Sequence, residues 1–143
     1  MVTQFDNTLI CPLTTDALIE ERVAALVGRA CRRQLWFFFV DQERRQRPLL
    51  IPLSDPPSQP DDSVGDLARV MKHALQAQHA ESLVIVLERY SDATCSAGDK
   101  AWARRLNQEF SAVNVPVLGF FVSHRRGVRC LTKDDYEFES VAS

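Results

Sequence analysis

The sequence predicts an α/β fold: one three-layer domain in which a mixed central sheet of about five strands is flanked by three helices. Helix-length amphipathic segments alternate with short apolar β-prone segments along the chain. The 143 residues are 45% hydrophobic and 25% charged, which is typical of a single domain with a core of its own. Neither an internal repeat nor a change in composition divides the chain. We therefore expect one domain over residues 1–143, with its core at 15–136 and polar tails.

The first half predicts a helix followed by a hairpin. Thr15 is a candidate N-cap, and apolar residues at helical spacing predict a helix over 15–32. The block Leu35–Val40 is apolar and β-prone throughout, which is typical of a strand buried on both faces in the middle of a sheet. A second strand over 49–53 is bracketed by Pro48 and Pro52. Because proline lacks the N–H that a ladder needs, we expect this strand to have an exposed edge.

The second half continues the alternation of helices and strands. A proline-rich surface loop precedes a helix whose start carries Ser63 and Asp66, spaced as in a capping box. A buried strand follows, and then a third helix that Ser96 opens and Asn114 closes, and then two strands joined by a turn. The predicted bounds are 54–62 for the loop, 63–79 for the second helix, 83–87 for the strand, and 115–122 and 128–131 for the last two strands.

Composition limits the class of protein. A net charge of −2 and a pI near 5.9 disfavour a protein whose main task is to neutralise phosphates. The N-terminus has no basic start followed by an apolar region, and the longest apolar stretch is far shorter than the roughly 20 residues that cross a bilayer. We expect a cytoplasmic protein that does not enter a membrane. No C-x-x-C pair occurs, which excludes a zinc ribbon; the four cysteines are Cys11, Cys31, Cys95 and Cys130.

The loop after the third predicted strand is the preferred binding surface. A strand–helix–strand order predicts right-handed parallel crossovers, which place residues 88–96 at the carboxyl end of a central strand. Sites of α/β proteins are commonly found at such ends. The polar run begins with Glu88 and Arg89 and continues to Asp92. The alternative interpretation stays open, because loops of this kind are also polar simply to keep their backbone hydrated.

Several of these segments together are similar to one known family. The hairpin Leu35–Leu53, the strand Leu83-Val-Ile-Val-Leu87, the loop ending Ser96-Ala-Gly-Asp99 and the strand beginning Val115-Pro-Val-Leu-Gly resemble the JAB/MPN metalloprotease-like domain, and above all its RadC-type bacterial branch. The resemblance runs from about residue 15 to 136, and the related cytidine-deaminase architecture shares its outline. It implies a zinc motif, H-x-H-P followed after seven residues by S-x-x-D, with an upstream glutamate as general base.

The chain departs from that motif at the metal ligands. Aligned on Ser96 and Asp99, the sequence has Val86 and Glu88 at the two histidine positions and Arg89 in place of the proline. Neither of the first two strands offers an inward glutamate as base. Catalytic zinc usually has three protein ligands, and here only the aspartate remains. The resemblance therefore implies a degenerate binding site of these five residues, with no catalytic residue, metal or cofactor.

We accordingly expect an interaction or small-ligand-binding module whose partner is a protein or a small molecule. Two alternatives stay open. One is a metal-dependent hydrolase or isopeptidase with a nonstandard site that uses Glu88 and Asp99. The other is a RadC-like accessory of DNA metabolism, although nucleic acid is the disfavoured partner. For Ser96 and Asp99 there is also a purely structural explanation, since a serine N-cap and an acidic residue in the first turn stabilise a helix by themselves.

Arginine doublets are the most unusual charge feature of the sequence. Arg44-Arg45 and Arg125-Arg126 lie in predicted turns and are candidates for a shared basic patch. The alternative is that each doublet belongs to an ordinary solvated face.

Overall fold

The computed structural model describes residues 12–132 and confirms the α/β fold class. Cys11 and the last part of the expected core, 133–136, lie outside the described residues. The elements within that range are α1 (Asp16–Leu26), β1 (Gln34–Val40), β2 (Gln46–Ser54), α2 (Ser63–Ala77), β3 (Ser82–Glu88), α3 (Ala97–Ala112), β4 (Val117–His124) and β5 (Gly127–Cys130).

The five strands form one mixed sheet in the order β2-β1-β3-β4-β5. The pair β3–β4 is parallel, and the other three neighbouring pairs are antiparallel. Since β2 and β3 flank β1 and are both antiparallel to it, they run in the same direction. Both α2 and α3 therefore connect parallel strands, as the strand–helix–strand order predicts.

Helices cover both faces of the sheet and form three layers. Successive side chains of a strand point to opposite faces. Phe37 and Ile85 accordingly pack with α2 and α3, whereas Phe38 and Val86 pack on the face that α1 covers. All of β3 is buried, and β1 is buried apart from the half-buried Trp36, which confirms the predicted central strands. No helix within residues 12–132 combines the length and the apolar character needed to cross a lipid bilayer.

Strand β2 forms one margin of the sheet, and Pro52 lies on its outer side. The N–H of Asp55 donates to the carbonyl oxygen of Arg33 at 3.0 Å. In an antiparallel ladder the N–H groups of alternate residues point to the same neighbouring strand, so the N–H of Leu53 also points towards β1. The backbone nitrogen of Pro52, one residue away, therefore faces outwards from the sheet. The proline removes a donor from the exposed edge and so hinders pairing with another strand. The predicted exposed edge is confirmed.

The first helix is shorter than predicted. It ends at Leu26 rather than at residue 32, because the N–H groups of Val27 and Gly28 both return to the carbonyl of Val23, at 2.9 and 3.4 Å. Gly28 takes φ +69°, a left-handed conformation that ends helices and suits glycine. Ala30, which continued the apolar stripe of the sequence, is buried in the connection to β1 instead.

One of the three predicted helix caps is wrong, whereas Thr15 caps α1 as expected and accepts from the N–H of Leu18 at 3.2 Å. The capping box expected at α2 does not form: Asp62 is the N-cap without a side-chain bond, and Asp61 Oδ1 instead accepts from the N–H of Ser63 at 2.9 Å. At α3 the capping box is present. Ser96 Oγ accepts from the N–H of Asp99 at 3.0 Å, and Asp99 Oδ2 accepts from the N–H of Ser96 at 2.9 Å.

The proline-rich loop after β2 is fastened across the start of α3. The carbonyl oxygen of Pro57 accepts from Arg33 Nη2 and from the indole Nε1 of Trp102, each at 2.8 Å. A Cβ atom at Gly98 would lie 2.6 Å from the carbonyl oxygen of Ser58, so only glycine permits this close approach. The loop therefore covers the first turn of α3.

Candidate functional site

Three connections meet at the carboxyl ends of β3 and β4. The α1–β1 connection is held to β4 by two hydrogen bonds: Ser123 Oγ donates to the carbonyl of Gly28 at 2.6 Å, and the N–H of Ala30 donates to the carbonyl of His124 at 2.8 Å. The β4–β5 turn is held to the β3–α3 loop, since the N–H of Arg125 donates to the carbonyl of Ser91 at 2.9 Å. The predicted site region is thus a junction of three loops.

The carboxylate of Glu88 accepts four hydrogen bonds at this junction. Oε2 accepts from the backbone N–H groups of Cys31 and Arg32, at 2.7 and 3.2 Å. Oε1 accepts from the indole Nε1 of Trp36 at 2.9 Å and from Nε2 of Gln34 at 3.3 Å. The residue is only 4% exposed. Its carboxylate therefore binds the α1–β1 connection to the central strand.

These donors determine the protonation of Glu88. Burial alone would raise the pKa of the carboxyl, because it penalises the charged form. The N–H of Cys31, the indole of Trp36, the N–H of Arg32 and the amide of Gln34 outweigh burial, and the pKa lies below its ordinary value of 4.5. Glu88 is consequently a carboxylate at neutral pH.

Arg89 and Asp99 form a buried ion pair on the opposite face of the sheet. Arg89 Nε lies 3.0 Å from Asp99 Oδ2, and the two side chains are 7% and 5% exposed. The other guanidinium nitrogens of Arg89 donate to the carbonyls of Asp92 and Thr94, at 2.9 and 3.0 Å. This pair fixes the path of the β3–α3 loop and connects it to the capping box of Ser96.

The structure divides the five expected site residues into two groups. Val86 packs in the apolar cluster under α1, and Glu88 lies two residues further along the same face of β3. Arg89, Ser96 and Asp99 are grouped at the start of α3, on the other face. The two carboxylates are not brought together. Residues 12–132 contain no cluster of three or more histidine, cysteine or acidic side chains that could hold a metal ion.

An open pocket lies beside these buried groups. It has a volume of about 300 Å³ and is formed by the β3–α3 loop and the β4–β5 turn. We call it the carboxyl-edge pocket; its lining residues are Asp92, Ala93, Thr94, His124, Arg125 and Arg126. The sequence indicated this loop region, but it did not indicate that His124 takes part.

Burial and nearby arginines both disfavour a charge on His124, one of the pocket-lining residues. Burial lowers the pKa of this imidazole, and the positive charges of Arg89 and Arg129 lower it further, while Asp92 opposes them and Arg126 adds to them. The pKa therefore lies below its ordinary value of 6.5, and the ring is neutral at pH 7. Because Nδ1 accepts from the N–H of Arg126 at 3.3 Å, the proton resides on Nε2.

The two arginine doublets do not form a shared patch. Arg44 and Arg45 lie in the β1–β2 turn, at the amino end of β3, because β1 is antiparallel to β3. Arg125 and Arg126 follow β4, whose carboxyl end lies beside that of β3. The doublets are therefore at opposite ends of the sheet, and only the second borders the carboxyl-edge pocket.

No family model matches the chain, and a search of curated proteins finds no match to its sequence.

We expect the substitution Asp99→Asn to lower the free energy of unfolding by about 3–5 kcal/mol, because it leaves the buried Arg89 guanidinium without a counter-charge. The matched control is Asp66→Asn, which breaks the exposed pair with Arg69 on α2 and should cost no more than about 1 kcal/mol. Urea denaturation of both variants checks this. Equal losses in the two would contradict a structural role for the buried pair.

We expect Glu88→Gln to lower the free energy of unfolding by about 3 kcal/mol at neutral pH, because an amide turns a donor towards groups that themselves donate. The folded-state pKa of Glu88 is depressed, so its contribution is present above pH 4.5 and is lost as the pH falls through the folded pKa. The stability difference between wild type and variant should therefore shrink on acidification. Denaturation curves at several pH values check this, and a difference that stays constant down to strong acid refutes it.

Proposed function

We propose that the chain is a non-catalytic binding module of the cytoplasm, a degenerate JAB/MPN-like domain of the RadC type that engages a protein or a small ligand. The observation that carries the proposal is the saturation of Glu88. An ionised carboxylate offers about four lone-pair sites, and four protein donors already fill them. The side chain at a presumed ligand position therefore has no capacity left for a metal ion or for a proton of substrate.

The second carboxylate supports the same proposal. Asp99 Oδ2 accepts from Arg89 Nε and from the N–H of Ser96. A hydrolase with a nonstandard metal would need both carboxylates in one place, whereas Glu88 lies on the α1 side of the sheet and Asp99 on the α3 side. A binding role needs neither of them to be available.

The carboxyl-edge pocket is the favoured binding surface. It is open, it adjoins the central strand at the end where α/β proteins commonly bind ligands, and its β3–α3 loop is hydrogen-bonded to the buried Arg89 behind it. A RadC-like role in DNA metabolism has one observation in its favour, since Arg125 and Arg126 border this pocket. Duplex DNA is accordingly one of the ligands tested below.

Metal content and peptidase activity of the purified protein test the proposal. We expect much less than one zinc per chain by elemental analysis, no saturable zinc binding by calorimetry, and no metal-dependent cleavage of peptide or isopeptide substrates. One bound zinc per chain that Asp99→Asn removes and Asp66→Asn retains would overturn the proposal, and so would metal-dependent turnover by the wild-type protein. Circular dichroism of each sample verifies that the chain is folded.

A further inference from the structure

We propose that the carboxyl-edge pocket binds the oxyanion of a small organic molecule, a phosphate or a carboxylate group. This inference rests on the proposed binding role and names the class of ligand. Donors line the pocket, several backbone acceptors there are already occupied, and the space fits a small molecule.

Arginine side chains engage the backbone acceptors of the β3–α3 loop. Arg89 donates to the carbonyls of Asp92 and Thr94, and Arg129 Nη1 donates to the carbonyl of Ala93 at 3.2 Å. Three consecutive carbonyl oxygens are thus held by guanidinium groups. A ligand that enters the pocket meets few backbone acceptors on this side, which favours a ligand that accepts hydrogen bonds.

The opposite wall supplies donors. Arg125 and Arg126 are exposed members of the lining, and guanidinium groups match carboxylate and phosphate oxygens in a bidentate geometry. His124, which also lines the pocket, is neutral at pH 7 and carries its proton on Nε2, so its ring has one N–H to donate. One acidic side chain, Asp92, also lines the pocket, and its Oδ1 accepts from the N–H of Thr94 at 3.0 Å. Two guanidinium groups against one carboxylate leave a positive excess.

The size of the pocket and the charge of the chain favour a small molecule over a polyanion. A volume of about 300 Å³ is at the lower end of the range of small-molecule sites. The chain as a whole carries −2, and its other turn doublet, Arg44-Arg45, lies at the far end of the sheet. A protein that binds a DNA duplex along its phosphates needs a continuous basic stripe. The two doublets lie at opposite ends of the sheet and do not form one.

Two matched double variants locate the binding. Arg125→Gln/Arg126→Gln removes the two charges that line the pocket, and Arg44→Gln/Arg45→Gln removes the same charge from the turn at the opposite end. Each protein is titrated with glycerol phosphate, succinate, inorganic phosphate and duplex DNA, and backbone amide shifts are followed by NMR. For the wild type we expect saturable shifts centred on Thr94 and Arg126. The pocket variant should bind about tenfold more weakly or worse, because it loses charge-assisted hydrogen bonds, and the control should bind as the wild type does.

The probes distinguish the source of the oxyanion. Tighter binding of glycerol phosphate assigns a phosphorylated ligand, and tighter binding of succinate assigns a carboxylate. Saturation by none of the probes overturns the inference. So do equal weakening in both double variants, inorganic phosphate as the tightest ligand, and duplex DNA binding that both variants weaken alike. If the protein is zinc-free and inactive, any of these outcomes overturns the oxyanion inference alone and leaves the proposed binding role intact. Stoichiometric zinc would overturn the binding role itself.

Discussion

The hydrogen bonds to the carboxylate of Glu88 are the interaction on which the carboxyl end of the sheet depends. A buried charge is costly unless donors surround it, and here backbone N–H groups of Cys31 and Arg32 join the side chains of Gln34 and Trp36 in doing so. Two of the four contacts bring the α1–β1 connection against the central strand, and the other two come from β1. The same connection is hydrogen-bonded to β4, so it is fastened to both central parallel strands.

The position of Glu88 explains why the exposed polar groups of this end lie in the loops rather than at the strand. The degenerate site expected from the sequence included Val86, Glu88 and Asp99. In this chain the first is core, the second holds a loop, and the third pairs with Arg89 to hold another loop. The buried charges fix the loops, and the groups that line the open pocket include those of His124 and the turn that follows it. A rigid interior that carries a variable rim is common in α/β proteins.

Much of the fold follows from apolar periodicity in the sequence. Unbroken apolar blocks such as Leu35–Val40 indicate interior strands, and their alternation with helices indicates parallel crossovers. The end of α1 could not be predicted from the apolar pattern, because Ala30 continues the apolar stripe of the helix beyond Gly28, where the structure has already left the helix. The donors to Glu88 could not be predicted either, because every residue but proline carries the same N–H and only the folded path decides which one meets a carboxylate. The separation of the arginine doublets could have been predicted, because a hairpin followed by two parallel crossovers places the turns that carry them at opposite ends of the sheet.

Pro52, in the edge strand β2, affects how readily two molecules associate through that edge. If two molecules paired along β2, the ladder between them would lack the backbone hydrogen bond at Pro52. An added strand at this border would therefore pair incompletely with β2, which disfavours extension of the sheet from one molecule into another. A proline in the edge strand thus works against edge-to-edge assembly of copies of the chain.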